Sequence, residues 1–322
     1  MHQDTGSVKP PGRAGCAPAR ASSYKTARIE ANTMPVMPPN EQALVFDCEG
    51  NSLIGVLIGA SLPAGRGVLI VVGGPQYRVG SHRQFTLLAR HLAEHGVPTL
   101  RFDHRGMGDS DGEARTFERV GEDIRCAIDR FFESVPGMKE VVIWGLCDAA
   151  SAALFYAHRD VRVSGLILLN PWLRTSAGVA RAHLRHYYLR RLLHGSLWRK
   201  VARGEFNFRD AMGALGRFVI DAMGRSRSLG TIDGSSASEA PLPDRMEEGL
   251  RNFHGRVLFI LSGNDLTSQE FERVVETSRG WRKLLEDKRI TRYRLPEANH
   301  TFARRDWRDQ VARWTEAWIK TG

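Results

Sequence analysis

The 322 residues are 42% hydrophobic and 25% charged, a balance that suits a folded globular chain and excludes disordered or collagen-like classes; the length allows one large α/β domain or two ordinary ones. The longest apolar runs, such as Val68 to Val72, are strand-sized and far short of the roughly 18 residues a membrane-spanning helix needs, so no bilayer span is expected. The formal net charge of +10 is concentrated between Arg174 and Arg227, where twelve Arg or Lys stand against three acids, Glu205, Asp210 and Asp221.

In chain order, residues 1–40 are rich in Pro, Ala, Ser and Arg, show no hydrophobic periodicity and lack the apolar segment of a secretory signal. They are expected to form a disordered leader, with Met34 and Met37 as alternative translation starts. Short apolar, β-branched runs then recur at Ala43–Cys48, Leu53–Ile58, Val68–Val72, Pro98–Phe102, Glu140–Trp144, Val161–Leu169, Val257–Leu261 and Ile290–Leu295. Helical patterning follows at Ser81–His95, Thr116–Phe132, Asp148–His158, Ser268–Glu286 and Arg305–Lys320. This alternation predicts an α/β fold with a mostly parallel, eight-stranded sheet, helices on both faces and a hairpin-like pair at one antiparallel edge. The core is assigned to 41–170 and 253–322. The interruption at 171–252, helical in pattern with a Gly/Ser/Pro-rich stretch, reads as a helical cap inserted over the carboxyl ends of the strands, where open α/β sheets bind ligands.

The chemistry begins at Val142-Ile143-Trp144-Gly145-Leu146-Cys147-Asp148-Ala149-Ala150, a buried strand running through a tight turn into a helix. This has the form of a nucleophile elbow, with small residues, Gly145 and Ala149, two positions either side of Cys147. The start of the following helix favours thiolate over thiol at Cys147. Asp148 is a complication, because its carboxylate opposes a thiolate unless it points away or pairs; its backbone N–H is one expected oxyanion donor. A cysteine nucleophile needs an imidazole and a carboxylate to orient it, in the chain order nucleophile, acid, histidine. Asp265 follows the strand Val257–Leu261 and His300 follows the strand ending at Leu295, so both order and strand-end position fit; Glu297 is a reserve acid and Asp265 also suits a helix cap. The loop Gly73-Gly74-Pro75-Gln76-Tyr77 should carry the second oxyanion donor. Pro75 has no N–H, which leaves Gln76, with Gly74 as the alternative. Asp103-His104-Arg105-Gly106-Met107-Gly108-Asp109-Ser110 reads as a structural loop, since Ser110 is not on an elbow. The four cysteines, Cys16, Cys48, Cys126 and Cys147, show neither a CxxC pair nor zinc-finger spacing, so no disulfide or structural metal is expected.

These segments, with Asp265 and His300, resemble the α/β-hydrolase superfamily from about Gln42 to the carboxyl terminus, and the loop from Asp103 to Ser110 is similar to a recurrent loop of that superfamily. A cysteine in the elbow resembles the dienelactone hydrolase group. The stretch Gly73-Gly74-Pro75-Gln76-Tyr77-Arg78-Val79-Gly80-Ser81-His82-Arg83-Gln84-Phe85, together with the Cys147 elbow, looks like the type 1 hydrolase associated with exosortase A systems. That resemblance implies an accessory role beside exopolysaccharide synthesis and protein sorting.

The resulting expectation is a cytoplasmic hydrolase that cleaves a small ester or thioester through an acyl-Cys147 intermediate, with no metal or organic cofactor. An acyltransferase using the same triad and a non-catalytic adaptor on a hydrolase scaffold remain open. Trp172–Trp198 interleaves Leu184, Tyr187, Tyr188, Leu189 and Leu192 with Arg181, Arg185, Arg190 and Arg191, as in a basic amphipathic helix. Peripheral docking on anionic membrane, contact with an anionic substrate, and a packed helix with solvated arginines are all open there. Nucleic-acid binding is not expected, because no recognised motif accompanies the charge.

Overall fold

A computed structural model describes residues 41–59, 64–74, 76–173 and 240–321. The leader expected at 1–40 and residues 174–239 of the expected cap, including nearly all of the basic amphipathic segment, lie outside the described residues.

Eight strands form one sheet: β1 Glu41–Cys48, β2 Asn51–Ile58, β3 Arg66–Val71, β4 Thr99–Phe102, β5 Glu140–Leu146, β6 Val163–Leu169, β7 Arg256–Ser262 and β8 Ile290–Leu295. Their spatial order is β1-β2-β4-β3-β5-β6-β7-β8. Only β2 runs against its neighbours, being antiparallel to both β1 and β4, while every pairing from β4 to β8 is parallel. The expected antiparallel edge is therefore one reversed strand inside the edge. The sequence patterns explain the layering. Residues of β4 and nearly all of β3, β5 and β7 are buried along their whole length, whereas β1 alternates buried with exposed positions as an edge strand with one wet face does.

Helices α1 (Gln84–Glu94) and α7 (Arg305–Lys320) cover one face of the sheet; α2 (Gly121–Ser134), α3 (Asp148–Tyr156), α4 (Leu242–Asn252), α5 (Leu266–Thr277) and α6 (Arg279–Leu285) cover the other. The single helix expected over Ser268–Glu286 is broken at Ser278, whose extended backbone ends α5 and whose hydroxyl caps α6 through the Trp281 N–H at 3.3 Å. The break turns Trp281 into the core, edge-on to Phe271 at 5.4 Å between ring centroids. Helix α4, assigned from sequence to the cap, packs instead on the core: Met246 and Leu250 are fully buried, and a Cβ at Gly249 would lie 2.3 Å from the Leu154 carbonyl oxygen. Only a residue without a side chain permits that approach to α3. Ala149, Ala150, Ala152 and Ala153 of α3 are themselves buried, which suits a helix enclosed by other elements.

The loop from Asp103 to Ser110 is structural, as its sequence suggested. The fully buried Asp103 carboxylate accepts from the Arg78 amide at 2.6 Å and pairs with the Arg78 guanidinium. Ser110 Oγ donates to the Asp103 carbonyl at 2.6 Å and accepts from Ile54 N–H at 2.9 Å, so its hydroxyl is fully committed. Buried Arg105 is held by buried Asp123 through two contacts, Nε at 2.6 Å and Nη2 at 2.5 Å from Oδ1, the pairing a desolvated charge requires. Among the described residues, Cys48, Cys126 and Cys147 are free thiols and no helix is long and apolar enough to cross a membrane.

Candidate active site

The carboxyl ends of β3, β5, β6, β7 and β8 bring the predicted site residues to one edge of the sheet. Cys147 sits between β5 and α3 with φ 64° and ψ −125°, a conformation that costs a non-glycine residue of order 1–3 kcal/mol and is characteristically retained at functional sites. The elbow is as tight as the small flanking residues implied, since a Cβ on Gly145 would come within 2.7 Å of the Ala149 carbonyl carbon and oxygen. Cys147 is partly exposed. The other two described thiols are buried, and burial followed by contact with Cys126 pushes Cys48 well above the ordinary thiol range.

His300 Nδ1 lies 2.9 Å from Asp265 Oδ2, and the carboxylate is 8% exposed. The hydrogen bond to Asp265, followed by one to Cys147, raises the imidazole to about 10 against the opposing effect of burial. An imidazolium is thus favoured at neutral pH. Asp265 also accepts from the amides of Thr267 at 3.3 Å and Ser268 at 3.1 Å, capping α5. One carboxylate thus both caps α5 and holds the imidazole. Glu297 is exposed, and the carboxylate bonded to His300 is that of Asp265.

Backbone contacts lock the two loops together. Gly263 N–H donates to Leu295 O at 2.8 Å and Asn264 N–H to Ala298 O at 3.0 Å. Gly263 is obligatory at that seam, where a Cβ would lie 2.1 Å from the Pro296 carbonyl oxygen. Asn170, a residue not singled out in the sequence, completes the frame from the end of β6. Its fully buried amide donates from Nδ2 to the His300 carbonyl at 3.0 Å and accepts at Oδ1 from Ser262 N–H at 2.9 Å. The available signal was a polar residue directly after the apolar run Leu166–Leu169.

Asp148 resolves the complication raised by its charge. Its carboxyl turns to the loop after β3, where Oδ2 accepts the Gly74 N–H at 2.9 Å. Burial raises its affinity for a proton, opposed by the amides of Gly74, Ala149 and Asp148 itself, which reduces any charge set beside Cys147. Gly74 is consequently committed to Asp148 and is a poorer oxyanion donor than Gln76. The Gln76 side chain folds back so that Oε1 accepts from Ser81 N–H at 3.1 Å, bracing the same loop. Gly73 lies so close that a Cβ would fall 2.1 Å from Asp148 Oδ1.

The family model described as "Serine aminopeptidase, S33" matches residues 65–209, a span that includes the elbow. A curated relative, the polyketide transferase grgF of Penicillium sp, is 28% identical over 140 residues, 42% of this chain and 48% of that protein. The chain thus spans about half the length of the curated relatives it matches. Among solved structures, an esterase of Pyrococcus furiosus aligns with a TM-score of 0.61 at 14% identity, covering 88% of this chain and 91% of that one. A dienelactone hydrolase of Anabaena variabilis aligns at 0.54 and 15% identity, covering 88% and 98%. At such identities the likeness concerns the fold, and the fold is that of the α/β hydrolases.

Proposed function

We propose that this chain is an enzyme that cleaves a small ester or thioester through an acyl-Cys147 intermediate, with His300 moving protons and Asp265 orienting it. The observation that carries this reading is the meeting of a strained, partly exposed Cys147 at the elbow with the His300 imidazole, whose Nδ1 is held by a carboxylate that caps a helix and whose proton affinity is raised first by Asp265 and then by Cys147. Cys147 attacks as thiolate, forming the C–S bond while the carbonyl oxygen takes the electron pair and is held by the N–H groups of Gln76 and Asp148. Collapse expels the alcohol or thiol fragment, which takes the His300 proton. The neutral imidazole then accepts a proton from the incoming water or acceptor alcohol, which attacks the acyl-cysteine and releases the thiolate.

Acyl transfer in place of hydrolysis is favoured as a second reading by the similarity to grgF, named a polyketide transferase. An accessory role in exosortase and exopolysaccharide systems rests on the sequence resemblance of the Gly73–Phe85 and elbow segments. In that reading the enzyme is cytoplasmic, with the basic segment after Trp172 offering peripheral contact with anionic membrane. Intact-protein mass spectrometry after brief exposure to aryl esters and acyl thioesters tests the common step. An acyl adduct confined to Cys147 is expected; turnover with unmodified Cys147 and full activity in Cys147→Ala would overturn it. Partition of the adduct between water and added alcohol separates hydrolysis from transfer.

Asp148 tests the oxyanion loop. Truncation in Asp148→Ala frees the Gly74 amide and unpins the loop, and misplacement of about 1 Å near the reacting centre costs on the order of a hundredfold in rate. Steady-state kinetics should show kcat falling by about that factor with a much smaller change in KM, while Asp148→Asn, which retains an oxygen acceptor for Gly74, stays within about tenfold of the parent. Equal losses in both variants would show that the loop does not depend on this bond.

A further inference from the structure

We propose that His91 of α1 and His95 at the carboxyl-terminal cap of that helix, with Glu316 of α7, form a binding site for a divalent first-row transition ion such as Zn2+ that clamps these two helices together. The two histidines, in the last turn of α1 and at its cap, bring their ring centroids within 4.4 Å of each other, and Glu316 meets them from the neighbouring helix. Their three nearest donor atoms all lie within 4.8 Å of one another. His91 Nε2 is 2.9 Å and His95 Nε2 3.6 Å from the same oxygen, Glu316 Oε2. Metal–ligand bonds of about 2.0–2.2 Å at tetrahedral angles separate ligand atoms by roughly 3.3–3.5 Å, and the two observed separations fall on either side of that value.

Hydrogen bonding supplies a second argument. His95 Nδ1 lies 2.7 Å from the His91 carbonyl oxygen, which can only accept, so Nδ1 carries the hydrogen. Nε2 is then the ring nitrogen left to face Glu316 Oε2. Donation from the second ring nitrogen to a backbone carbonyl is also the usual way a metal-bound imidazole is oriented. The other Glu316 oxygen, Oε1, is held by Lys320 Nζ at 2.7 Å, which leaves Oε2 as the single coordinating atom. Two imidazole nitrogens and one carboxylate oxygen suit zinc-like ions better than Mg2+ or Ca2+, which prefer oxygen throughout. His95 is 39% exposed on its side chain, so water can complete the coordination. The clamp has a clear mechanical meaning: α1 follows the loop that carries Gln76, and α7 follows the loop that carries His300.

The test uses tag-free, full-length protein freed of metal with a chelator, titrated with Zn2+ in competition with a chromophoric chelator. One ion should bind to wild type and to Cys147→Ala alike, and His95→Ala should bind it at least about tenfold more weakly. With Zn2+ at about a hundred times the wild-type Kd, wild type should gain roughly 5 °C in Tm and His95→Ala no more than about half of that. Unchanged affinity in His95→Ala, or affinity that vanishes in Cys147→Ala, would overturn the site. His95→Gln, which keeps most of the side-chain volume, serves as the second variant should the alanine chain fail to fold, with the same outcomes expected.

Discussion

His300→Ala should lose about 10²–10⁴ of kcat/KM on an activated ester, the range associated with a positioned acid–base group. The same loss should appear in Cys147→Ala, and combining the two should cost little more, because both remove one step performed as a unit. The loss comes through the proton rather than through binding. His300 is bonded to Asp265 and its proton affinity responds to Cys147, and with the imidazole gone neither the nucleophile nor the departing group has a proton partner. The fold should survive, since His300 is on a loop with a third of its side chain exposed, and the Asn170 bond goes to its backbone carbonyl, which the substitution leaves in place. Circular dichroism and Tm check that point while stopped assays measure turnover. A His300→Ala enzyme retaining most of its activity would remove the imidazole from the mechanism. Thiol labelling gives an independent check: brief treatment of native protein with iodoacetamide should modify Cys147 and spare Cys48 and Cys126, which are buried.

The parts legible in the sequence were those set by local pattern. Central strands such as Val68–Val72 could be read because burial on both faces leaves an unbroken apolar run, and Cys147, Asp265 and His300 because each lies where a strand stops and a loop begins. What escaped was set by contacts distant in sequence. The direction of the Asp148 carboxyl depends on Gly74, seventy-four positions away, and the task of Asn170 depends on His300 and Ser262. The break at Ser278 was hidden for a related reason, since continuous helical patterning says nothing of the pocket beside Phe271 that draws Trp281 inward. Helix α4 was misplaced because its apolar face looks the same whether a core or a cap receives it; the space above α3, opened by Gly249, decides.

Asp265→Asn separates two tasks that one side chain performs. Asparagine caps helices well, so its side-chain oxygen can still accept from Thr267 and Ser268, and α5 should keep its start. What disappears is the carboxylate, whose hydrogen bond is the largest influence raising His300 to about 10 and whose charge adds to it. In the parent enzyme the imidazolium persists through neutral pH, and kcat/KM should fall on the alkaline side as it loses its proton near that value. In Asp265→Asn the alkaline fall should begin at lower pH, and the rate at pH 7 should drop by about 10²–10⁴ because the imidazole is neither charged nor fixed in one tautomer. The linked effect on stability has a definite sign. A group raised from 6.5 to about 10 on folding contributes stability that is complete below pH 6.5 and is lost as pH rises through 10. The parent should therefore be more stable relative to Asp265→Asn at pH 6 than at pH 10, a difference that urea denaturation at the two pH values measures. An alkaline limb that does not move in Asp265→Asn would mean that another group controls the His300 proton.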